Sequence, residues 1–104
     1  MNTPKIVNLD LTNCKYLGEM HLRIKDAFDF PDFYGQNWDA FWDLLCGTRD
    51  NTIVEIKGLK KLPKELQPSG DMIISILKEN ISHVKALKES CPHFDCRFDY
   101  RVID

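Results

Sequence analysis

Three short stretches of the chain carry strand patterning, and the segments between them carry helical spacing. Lys5-Ile6-Val7-Asn8-Leu9 is brief and β-branched near its centre. Thr52-Ile53-Val54-Glu55-Ile56 follows the turn-like run Gly47-Thr48-Arg49-Asp50-Asn51. From Cys96 to Ile103, Cys96, Phe98, Tyr100 and Val102 alternate with Arg97, Asp99 and Arg101, a period of two that suits an edge or half-exposed strand. Leu17, Met20, Ile24 and Ala27 recur at helical spacing, which predicts a helix capped by Asn13 or Thr12 and running to Ala27. Phe30-Pro31-Asp32 ends it. A second helix is expected from near Asn37 to about Cys46, and a short helical turn at Pro63-Lys64-Glu65-Leu66. A longer helix opens at Ser69 or Asp71 and continues to about Glu89, with Pro92 just beyond.

This alternation predicts an α/β fold with a parallel sheet, because parallel strands need helical crossovers between them. With 104 residues the chain is one domain, since half of it would bury too little surface to stand alone. A hydrophobic fraction of 43% supplies a core, which excludes a disordered chain. No apolar run approaches the 18 residues of a membrane span, and MNTPKIVNLDLTN lacks the apolar centre of a signal peptide. The expected location is therefore the cytoplasm.

The formal net charge of −2 argues against a generally basic nucleic-acid binder. That mean hides two blocks. From Asp29 to Asp50 five aspartates face a single base, Arg49; from Lys57 to Lys88 seven lysines face three acids. Within the basic block, Lys57-Gly58-Leu59-Lys60-Lys61 is short and lacks interleaved aromatics, so it reads as a solvated loop edge. Four cysteines in a chain with a core and no export signal read as reduced thiols. Cys91-Pro92-His93-Phe94-Asp95-Cys96 groups two thiols and an imidazole, but a structural zinc needs four ligands and no second pair is near in sequence. No cofactor or metal is expected.

Wound at about 100° per residue, the helix from Trp38 to Cys46 places Trp38, Phe41, Leu44 and Leu45 on one side. Asp39, Trp42, Asp43 and Cys46 gather on another. Two carboxylates one turn apart repel and destabilise an isolated helix by about 0.2–0.5 kcal/mol. Such a face is either a solvated surface or a site for a basic partner, where an aromatic rimmed by charge is the usual anatomy. Paired carboxylates also occur in glycosidases and divalent-metal sites, but no further acid is placed to support either. His21, beside Met20 and Leu22, reads as a surface residue and His83 as a solvated one. Tyr34-Gly35 reads as the turn into the helix, with glycine admitting positive φ.

The run Phe28-Asp29-Phe30-Pro31-Asp32-Phe33-Tyr34-Gly35-Gln36-Asn37-Trp38-Asp39-Ala40-Phe41-Trp42-Asp43-Leu44-Leu45 closely resembles the signature of the barstar family of ribonuclease inhibitors. The resemblance implies a small three-layer α/β/α domain with a three-stranded parallel sheet. It implies a protein that is not an enzyme and that plugs the cationic active site of a ribonuclease with an acidic helix and the loop before it, as a 1:1 complex of a monomer. Carried over by position, the partner-binding residues are Phe33, Tyr34, Gly35, Asn37, Asp39, Trp42, Asp43, Cys46 and Glu79. Neither direct nucleic-acid binding nor membrane binding is implied. The chain departs from the pattern at Thr48, where the family has a second interface tryptophan, and His83 stands where a second acid on the long helix would be sought. These departures leave a divergent nuclease toxin as open a partner as the family's usual ribonuclease, with this chain as its immunity protein or antitoxin. An adaptor for a basic protein that is not a nuclease, and a small enzyme using Asp39 and Asp43, are the alternatives.

Overall fold

A computed structural model of the chain describes residues 4–32, 34–35, 37–46, 51–91 and 97–103. Strand β1 (Lys5–Asp10) leads through helices α1 (Leu17–Phe28) and α2 (Trp38–Cys46) to β2 (Thr52–Lys57). Two single-turn 3-10 helices, Leu59–Lys61 and Lys64–Leu66, then precede α3 (Gln67–Ser90) and β3 (Phe98–Val102). All three strands are parallel in the order β1-β2-β3, with Val7 opposite Val54 and Val54 opposite Tyr100. The expected α/β class and three-stranded parallel sheet are present.

The layering is simpler than the expected α/β/α sandwich. Val7, Leu9, Thr52, Val54, Ile56 and Phe98 are buried, whereas the alternate positions Ile6, Asn8, Asp99 and Arg101 are exposed and Ile53 and Glu55 half-exposed. Helices therefore cover one face of the sheet, and among the described residues nothing comparable covers the other. The cause is topological. Both crossovers step in the same direction across the sheet, and right-handed crossovers that advance the same way put their helices on the same side. Parallel sheets are usually buried on both faces, and here polar side chains make the open face tolerable. Its central feature is an ion pair between Arg101 and Glu55, 2.9 Å apart and directly opposed in register.

Two helix starts differ from expectation. Asn13 sits in the left-handed region (φ 60°) and the Cys14 N–H donates to the Leu11 carbonyl at 3.1 Å, so residues 11–16 form a turn instead of the first turn of α1. Leu11 and Cys14, both buried, hold that turn in the core. Arg23 clamps it from outside, donating to the carbonyls of Asp10 (3.0 Å) and Thr12 (2.6 Å) while pairing with Glu19. α3 begins before Ser69 because Pro68 is harmless in a first turn, where its missing N–H would have no helical acceptor. β3 is described from Phe98; Cys96, the expected first residue, lies outside the described residues.

Gly58 is where glycine is required. It adopts φ 78° at the end of β2, and a Cβ there would lie 2.6 Å from the Thr12 backbone nitrogen. The core itself joins Val7, Leu9, Val54 and Ile56 of the sheet to Met20 and Ile24 of α1, Phe41 and Leu45 of α2, and Ile73, Leu77 and Val84 of α3.

Candidate functional site: the acidic face of helix α2

Asn37 sets the start of α2. Its side-chain oxygen accepts the Ala40 N–H at 2.7 Å, which satisfies one of the free donors of the first turn, and its amide nitrogen donates back to the Gly35 carbonyl at 3.2 Å. Gly35 serves this arrangement through space and not through positive φ, contrary to expectation: a Cβ there would stand 3.0 Å from the Asn37 side chain. Asn37→Ala is expected to cost about 1 kcal/mol of stability, the usual loss for an N-cap, measurable as a lowered midpoint in urea. Phe33, one of the expected contacts, lies outside the described residues, as do Thr48 and the Pro92-to-Cys96 segment.

Below the loop lies a connected aromatic cluster. Phe28 stacks on Phe30 with ring centroids 5.3 Å apart, and Phe30 meets Tyr34 at 5.3 Å and Phe41 at 6.1 Å. Most of the aromatics of the signature segment thus anchor the loop from beneath. Tyr34 is among them, only 5% exposed, and its buried ring holds the loop down. Its hydroxyl meets His21 Nδ1 at 2.8 Å, and the His21 ring lies 4.6 Å from the Trp38 ring. The expectation of a surface His21 is therefore wrong; it is 3% exposed. The signal was available, since position 21 falls four after Leu17 and three before Ile24, inside the apolar stripe of α1.

Burial lowers the His21 imidazole pKa below its ordinary 6.5 and raises the Tyr34 hydroxyl to about 12. The unfolded chain protonates His21 near its ordinary value, whereas the folded chain resists until lower pH. Between those two values the unfolded state holds more protons, so stability falls as pH falls through that window. Urea midpoints at pH 7.5 and 5.5 are expected to show this acid loss in the wild type and a smaller one in His21→Gln. An equal loss in both would remove His21 as its source.

Above this base, α2 divides into two sides. Phe41 and Leu45 are fully buried; Asp39 and Asp43 are exposed, one turn apart, with Trp42 half-buried between them. Trp38 and Leu44, expected in the buried stripe, are half-buried at its margins. Helix α3 extends the face. Trp42 meets His83 edge-on at 6.1 Å, and an open groove of about 510 Å³ between the helices is lined by Trp42, Ser75, Lys78, Glu79, Ser82 and His83. Burial pushes the half-buried Cys46 thiol up, and the negative charges of Asp43 and Glu79 push it the same way. Both carboxylates thus lie close enough to act on this one thiol. Glu79, placed among the candidates by position alone, shares a surface with Asp43 and Trp42.

The described residues hold no group of three or more His, Cys, Asp or Glu side chains able to bind a metal ion. Cys91, at the end of α3, is exposed. None of the described helices is long and apolar enough to cross a membrane. The family model described as "Barstar (barnase inhibitor)" matches residues 5–95, which takes in all three helices and the acidic face. The chain belongs to the barstar family. A Bacillus subtilis (strain 168) protein named "Putative ribonuclease inhibitor YrdF" is 33% identical over 67 residues, covering 64% of this chain and 74% of that protein. Membership in a family of inhibitors agrees with a site that is a convex helix face beside a shallow groove and not an enclosed pocket.

Proposed function

We propose that this barstar-family chain is an inhibitor, not an enzyme, that binds a basic ribonuclease and covers its active site with α2 and the loop before it. The observation that carries this reading is the division of α2, with Phe41 and Leu45 fixed in the core while Asp39 and Asp43 stand exposed on either side of Trp42. A site built to hold RNA phosphates is cationic. Carboxylates on a rigid helix can take the places of those phosphates and offer no bond to cleave. Because the row is preformed, little ordering entropy is lost on docking, and opposite charge on the two faces accelerates encounter. The role fits an immunity protein or antitoxin that protects the cytoplasm of the cell making the nuclease, acting as a monomer in a 1:1 complex.

The test is to titrate the purified chain into small basic secreted bacterial ribonucleases while following cleavage of a fluorogenic RNA oligonucleotide. Cleavage is expected to vanish at one equivalent for a cognate enzyme, and less completely as salt rises. Tight capture of a basic protein without nuclease activity, with no ribonuclease inhibited, would replace this reading with an adaptor. Turnover of RNA by the chain itself, abolished in Asp39→Ala/Asp43→Ala, would replace it with an enzyme.

A further inference from the structure

The groove between α2 and α3 contains a histidine that the acidic-helix reading does not use. His83 is exposed, its ring stands edge-on to Trp42 at 6.1 Å, and it follows Glu79 by one turn of α3. The charged groups around it are Glu79 and Lys78 on its own helix and Asp43 of α2, the neighbour of Trp42 across the groove. Cys46, raised by both Asp43 and Glu79, is a further titratable side chain on that side among the described residues.

We propose that His83 is a contact residue whose charge state sets how well this face holds a cationic partner, so that the partner is released as pH falls below neutrality. This rests on the reading that the face receives basic side chains. The argument is one of donors and acceptors. A neutral imidazole has one bare ring nitrogen that accepts a hydrogen bond from an arginine or lysine of the partner. A protonated imidazole has none, and both its nitrogens then donate. Protonation therefore removes an acceptor and adds a positive charge. The new charge opposes the incoming cation and competes with it for the Glu79 carboxylate one turn away. Among side chains, histidine alone ordinarily changes charge between pH 5 and 8. At about 6 Å from this exposed imidazole, with water-like screening, one unit charge changes affinity by roughly threefold.

Hexa-arginine serves as the cationic probe, with its dissociation constant measured by calorimetry at pH 7.5 and 5.5 in low salt. The wild type is expected to bind about threefold more weakly at pH 5.5. His83→Gln, which keeps an acceptor and never becomes charged, should bind nearly equally at both values. His83→Lys, charged throughout, should bind weakly at both. Circular dichroism at each pH confirms that the folded chain is being compared, which separates this effect from the acid loss at His21. Equal wild-type affinity at both pH values, an undiminished drop in His83→Gln, or no binding of the probe at all would overturn the proposal. The ribonuclease reading stands or falls separately. Inhibition of a ribonuclease with no pH dependence traceable to His83 would sink only the histidine proposal. A His83-dependent pH effect on hexa-arginine, with no ribonuclease inhibited, would sink only the ribonuclease reading.

Discussion

Replacing Asp39 and Asp43 together by alanine is expected to weaken ribonuclease inhibition at least a thousandfold while moving the thermal midpoint by no more than a few degrees. The two effects separate because both side chains are exposed in the free protein, whereas docking would bury them against cations. Removing one member of a buried, hydrogen-bonded charge pair costs about 2–5 kcal/mol. Neighbouring losses are not additive, so a thousandfold, about 4 kcal/mol, is a conservative total. On the stability side the terms nearly cancel. Relief of the i,i+4 repulsion returns about 0.2–0.5 kcal/mol. Loss of Asp39 from the first turn removes a helix-dipole interaction of about 0.3–1 kcal/mol. Inhibition constants and melting curves on the same preparations check both halves. Asp39→Asn and Asp43→Asn, which keep the shape and remove the charge, should each reproduce part of the loss. A double variant that inhibits as well as the wild type ends the phosphate-mimicry account.

Phe41→Ala should do the reverse, and it lies on the same helix. Phe41 is fully buried, with ring centroids 5.5 Å from Phe28, 6.1 Å from Phe30 and 6.5 Å from Trp38. Truncating a buried phenylalanine costs about 3–5 kcal/mol, because the apolar transfer term is lost and the cavity closes only in part. For a domain of this size each kcal/mol lowers the midpoint by about 4–8 °C, so a fall of well over 10 °C is expected. The variant should still inhibit at temperatures where it remains folded, since Asp39, Trp42 and Asp43 are untouched. Urea unfolding provides the check. A loss below about 1 kcal/mol would mean that the cluster beneath the loop relaxes freely and does not brace α2.

Much of this architecture was legible in the sequence, and the misses have physical causes. Periodicity found the strands and helices because each element buries one face only, which writes a period of two or 3.6 into the chain. It could not find the number of layers. That depends on the order of strands in space, which the alternation of elements leaves open. The start of α1 was misplaced because Thr12 and Asn13 are good caps by type, whereas Asn13 is used in its other capacity, as a residue tolerant of left-handed backbone. His21 was misjudged because histidine is polar by type; its place in the stripe shows only when Leu17, Met20 and Ile24 are read around it. In the site, Asp39, Trp42 and Asp43 were readable from a single helical turn. The nearness of Glu79 and His83 to Trp42 was not, because 37 or more residues separate them and only the packing of α2 on α3 joins them. The burial of Tyr34 was not readable either, since residue type does not distinguish a ring that faces solvent from one that faces the core.

The open face of the sheet has a practical consequence. Asn8 and Asp99 project from the side opposite all three helices, where a side chain can be exchanged without entering the core or approaching α2. A fluorophore or surface tether attached there would leave the acidic face of α2 free, and the molecule could be held by its back while its front is offered to a partner.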